Sequence, residues 1–141
     1  METNAQWLRH KISLGWIAML LVLTVMLAHM ILLGIYAEND FAALKRDPGP
    51  GFLKYLMLVY CLYAVMPIYI YSVERKALRW VGVGVASLFF LFFVLHHLGH
   101  WVAGDRPGVL SHALEAALHV LGLWVVVNSV RWARIQSGAV A

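Results

Sequence analysis

Charged side chains are scarce: they make up 13% of the 141 residues against 62% hydrophobic ones, too little polar surface to cover a water-soluble globule of this size. The single cysteine, Cys61, excludes both an internal disulfide framework and a thiolate metal site within one chain. There is no glycine-rich phosphate loop, no serine elbow, and no CxxC or CxxCH sequence, so nucleotide-binding, hydrolase and c-type haem functions lack the residues to carry them. Gly82-Val83-Gly84 sits in an apolar run and reads as small-residue helix packing. The net charge of +4 comes from short basic clusters beside apolar runs rather than one exposed basic face, which speaks against a nucleic-acid partner.

In place of polar surface the chain has four apolar segments, 12–36, 52–72, 80–102 and 109–132. Each matches the roughly 20 residues that cross a bilayer as a helix. Helices satisfy their own backbone groups in lipid, and the segments are too long and too evenly apolar for barrel strands. The expected fold is therefore an all-α integral membrane protein, one domain over residues 1–141, forming a four-helix up-down-up-down bundle. The first segment exceeds the roughly 7 to 15 apolar residues of a signal peptide and no small-residue cleavage site follows it, so it is expected to be retained. Arg9, Lys11, Arg75, Lys76, Arg79, Arg131 and Arg134 flank one side, against Lys45, Arg46, Lys54 and Arg106 on the other. That bias predicts both termini in the cytoplasm, in a multi-pass protein of the bacterial inner membrane. Trp7, Trp16, Trp80, Trp101 and Trp132 fall near the expected interfaces. Asp47-Pro48-Gly49-Pro50 and Asp105-Arg106-Pro107-Gly108 supply turn chemistry for two hairpins, and Pro67 should kink the second helix.

Ionisable residues inside membrane spans are costly and usually face the bundle interior. Here they are numerous: His29 in the first span, His96, His97 and His100 in the third, and His112, Glu115 and His119 in the fourth. At about 100° per residue His96 and His100 lie ~40° apart with His97 ~60° further round, and His112, Glu115 and His119 form another single stripe. A hairpin centred near Arg106 sets His100 level with His112 and His97 level with Glu115, with His96 and His119 bracketing the deeper level. His29 reaches the depth of His96, and Tyr60, Cys61 and Met57 are candidate neighbours from the second span. His10 is juxtamembrane and receives no role beyond the interface.

Two chemistries fit this pattern. Facing imidazoles can ligate a haem iron axially between helices, and His96 or His97 against His29 or His119 is the expected pairing for haem b near the outer face. Gly99, Gly104 and Gly122 would give the macrocycle room, with Phe89, Phe90, Phe92 and Phe93 around it. In helix count and intramembrane histidines the chain resembles the four-helix b-type cytochrome subunits of respiratory enzymes. That resemblance implies a membrane anchor passing electrons between the quinone pool and a periplasmic partner, with Trp101, Asp105 and Arg106 as quinone-side or docking residues. The alternative is a non-haem Zn, Cu or Fe site drawn from His29, His96, His100, His112, Glu115 and His119, since five histidines and a carboxylate exceed what one bis-histidine haem needs. A third reading is a structural or assembly subunit of a larger membrane complex, because four helices leave little soluble domain to act alone.

Overall fold

The computed structural model describes residues 4–36, 49–103 and 109–135. Four helices hold almost all of them: α1 (Asn4–Tyr36), α2 (Gly49–Ser72), α3 (Lys76–Ala103) and α4 (Val109–Arg134). No strand occurs among the described residues. α1 begins eight residues ahead of the apolar run expected at Ile12, because nothing between Asn4 and Lys11 breaks a helix. Gly49 and Pro50, expected in the loop, open α2 instead; proline is tolerated in a first turn, where its missing N–H has no helical partner. The turn expected over residues 105–108, and Gly104 before it, lie outside the described residues.

Three helices, Asn4–Leu32, Lys76–Val102 and Val109–Arg134, are long and apolar enough to cross a membrane, and α2 adds an apolar stretch over Leu56–Ser72. Large aliphatic side chains such as Leu14, Leu21, Leu58, Ile68, Leu88 and Val120 point outward on all four helices. Such a surface fits a lipid environment, as in a multi-pass membrane protein.

α1 packs on α2 and α4, and α4 packs on α3, while α2 and α3 barely meet. Partners pair in descending order along each contact. Arg9 lies against Trp132, Gly15 against Val125, and Gly122 near Met19; Trp16 meets Tyr63, and Thr24 meets Tyr60. The space left between α2 and α3 is an apolar groove of about 420 Å³ lined by Leu58, Leu62, Leu88, Leu91, Phe92 and Leu95.

Trp16 is fully buried and anchors the core, meeting Tyr63 at 5.2 Å and Phe89 at 6.0 Å between ring centres, both edge-to-face. Trp132 is also fully buried, so these two tryptophans are core residues, whereas Trp7, Trp80 and Trp101 are exposed as an aromatic belt requires. The α1–α4 crossing is tight at Gly15: a Cβ there would meet Val125 and lie 2.9 Å from the Trp124 ring.

One end of the bundle is tied by two arginines. Arg79 is 6% exposed; its terminal amines donate to the carbonyls of Glu74 at 2.9 Å and Ile135 at 3.2 Å. Arg9 donates to the carbonyl of Val73 at 2.9 Å. Their guanidiniums stand 5.8 Å (Arg9) and 5.4 Å (Arg79) from the centre of the Trp132 ring. Backbone carbonyls beyond α2 and α4, which the helices leave without partners, are thus bridged by side chains from α1 and α3.

Arg79→Lys keeps the charge but loses the fork that reaches two carbonyls at once, and is expected to cost about 1–3 kcal/mol of thermal stability in detergent. Gly15→Ala is expected to cost about 1–3 kcal/mol by overpacking the α1–α4 crossing, read in the same melts; an unchanged Tm would show that the helices part freely there.

Candidate metal centre

Toward the other end, α3 and α4 face each other with their titratable side chains between them. The i, i+1, i+4 spacing of His96, His97 and His100 on α3, and the i, i+3, i+7 spacing of His112, Glu115 and His119 on α4, place each set along one side of its helix. The central contact is between helices: Glu115 Oε2 lies 2.7 Å from His97 Nδ1. The same oxygen lies 3.6 Å from His112 Nδ1, one turn earlier on α4. The three donor atoms fall within 4.8 Å of one another. Metal bonds of about 2.0–2.2 Å to nitrogen and oxygen separate the donors of a tetrahedral site by roughly 3.3–3.6 Å, so a small outward shift of His97 and a small inward shift of His112 would close the set on an ion.

Two further features fit a cation. Both His97 Nδ1 and Glu115 Oε2 are buried, and despite their proximity neither makes a hydrogen bond. Orphaned buried polar atoms are expensive, and a shared cation satisfies both at once. The carbonyl of Glu115 also lies 2.7 Å from His119 Nδ1. A carbonyl only accepts, so Nδ1 carries the proton and Nε2 keeps its lone pair, the tautomer arrangement found in metal-binding histidines. The His119 ring stands 5.3 Å from that of His97, centre to centre, and the His112 ring 6.1 Å from it.

This side of the bundle encloses a cavity of about 270 Å³. α3 and α4 line it with His96, His97, His100, Glu115 and His119, and α1 with Leu23, Met26, Leu27 and Met30. His29 is half-buried on α1 and is not among the lining residues, so α1 turns thioethers rather than its imidazole to the cavity. Nothing in the sequence marks Met26 and Met30 as cavity residues beyond their i, i+4 spacing. Tyr60 donates to Thr24 Oγ1 at 3.3 Å, Cys61 is exposed and Met57 is 67% exposed, so these α2 residues stand apart from the centre. His10 is bonded to Tyr71 at the opposite end.

The aromatic run on α3 divides its work. Phe89 packs on Trp16 and Tyr63, Phe93 lines the cavity, and Phe92 stacks on the His96 ring. Gly122, a candidate for macrocycle room, is instead occupied by Phe90, whose ring would lie 3.1 Å from an added Cβ; space beside Gly99 is open.

No protein-family model, no curated protein and no solved structure matches the chain.

If the carboxylate serves ligation rather than folding, Glu115→Gln should leave the metal-free protein within about 1 kcal/mol of the parent or stabilise it, because a buried charge is a net cost without its partner. A loss above about 2 kcal/mol in thermal melts with chelator present would mark Glu115 as a structural tie instead.

Proposed function

We propose that the chain is a multi-pass membrane protein that binds a first-row transition metal, zinc or iron, through His97, His112 and Glu115, with His119 beside the fourth position. The observation that carries this reading is the convergence of one buried carboxylate oxygen on two imidazole nitrogens, at 2.7 and 3.6 Å. A mixed imidazole and carboxylate set suits zinc and iron. Three protein ligands with a position facing a cavity is the arrangement of an exchangeable or reactive site rather than a closed structural one.

We read the architecture as an up-down-up-down bundle with both termini in the cytoplasm, supported by the descending helix pairings and by the gathering of Arg9, Arg75, Lys76, Arg79, Arg131 and Arg134 toward one end. The metal centre then lies in the outer half of a bacterial inner membrane. A larger membrane or periplasmic complex is the partner in this reading.

A second reading keeps haem b, passing electrons between quinone and a periplasmic protein, and rests on the neighbouring rings of His97 and His119. It ranks lower because the cavity of about 270 Å³ falls short of the roughly 300–1,000 Å³ of ordinary small-molecule sites, so the helices would have to part for a macrocycle. It also leaves Glu115 without a role.

The two are separated by elemental analysis and a reduced-minus-oxidised visible spectrum of detergent-purified protein. The expected result is stoichiometric zinc or iron with no haem band, and metal affinity weakened about 10–100-fold in Glu115→Gln and His97→Ala. A sharp b-type α band with stoichiometric iron would replace the first reading with the second, and a metal-free protein that takes up neither ion would remove both.

A further inference from the structure

The zinc or iron set uses His97, His112, Glu115 and His119 and leaves a second imidazole pair on the same cavity. His96 and His100 sit one turn apart on α3 with their Nε2 atoms 3.2 Å apart and their rings edge-to-face at 4.6 Å. That separation is near the roughly 3.3 Å edge of a tetrahedral site with metal–nitrogen bonds of about 2.0 Å. With no ion, one ring donates to the other; with an ion, both lone pairs turn to it. Both residues line the cavity, His96 being exposed as well, and so do Met26 and the 57% exposed Met30 on α1, one turn apart in the same way. The rest of the lining is His97, Glu115 and His119 of the carboxylate centre and the apolar side chains of Leu23, Leu27, Leu56, Val59, Phe93 and Leu118. Thioethers are soft ligands that select Cu(I) and bind zinc poorly.

We propose that His96 and His100, with the thioethers of Met26 and Met30 lining the same cavity, form a second and softer metal site that takes Cu(I). It is distinct in its ligands from the carboxylate centre and does not need that centre to be filled. Phe92, stacked on His96 from the side of the α2–α3 groove, fixes the ring that completes the pair. No electron transfer is required of the site, because copper binds and leaves in one oxidation state.

The test titrates Cu(I), anaerobically, into detergent-purified full-length protein against a chromophoric Cu(I) chelator, with Zn(II) affinity measured on the same samples. The parent should take up one equivalent of Cu(I) in competition with the chelator. The paired variant Met26→Leu with Met30→Leu, which conserves volume, should lose at least about tenfold in Cu(I) affinity while Zn(II) affinity stays unchanged, and His96→Gln with His100→Gln should do the same. Glu115→Gln should show the reverse pattern. Cu(I) binding that survives both paired variants, or no Cu(I) binding by a parent that binds Zn(II), overturns the soft site alone. A parent that takes up Cu(I) but no Zn(II), or Zn(II) affinity unchanged in Glu115→Gln, would overturn the carboxylate centre alone.

Discussion

A carboxylate enclosed by apolar helices must be protonated, paired or placed on a cation, and this bundle offers Glu115 only imidazoles within reach of its buried oxygen. No lysine or arginine ion pair to Glu115 occurs among the described residues. The neighbours it has are the side chains that share a proton or a metal with a carboxylate most readily. From that constraint follow the spacing along α4 and the approach of α3. α4 packs on both α1 and α3, so the carboxylate and its partners sit where the packing of the bundle is anchored.

The two ends of the bundle solve opposite problems. At one end, two guanidiniums, the Trp132 ring and the carbonyls of Val73, Glu74 and Ile135 close every helix onto its neighbours. At the other, imidazoles and a carboxylate surround open volume, and the weak α2–α3 contact leaves a side of the bundle unsealed. The ties between helices are thus gathered at one end and the open volume at the other.

Much of this was legible in the residues. Apolar run lengths reproduce the helices to within a few positions, apart from the eight-residue extension of α1, and residue counts across the hairpin set His97 level with Glu115, as their contact requires. Rotation was less legible. His29 has the right depth but lines no part of the cavity, whereas Met26 and Met30 do, because a helix apolar around its whole circumference gives no phase from which to read its inward face. The arginine clamp was equally hidden: Arg9 and Arg79 read as topology signals, and only the packing of α1 and α3 against Trp132 reveals them as ties between helices. Gly122 has its place in the tertiary contact with Phe90, which no local pattern announces.

The most direct measurement is metal K-edge X-ray absorption on the purified, detergent-solubilised protein after loading with zinc. Two or three imidazoles and one carboxylate oxygen at about 2.0–2.2 Å from the metal are the predicted environment. A shell made only of water oxygens, or the same spectrum from a chain lacking His97, His112 and Glu115, would contradict a metal centre between α3 and α4.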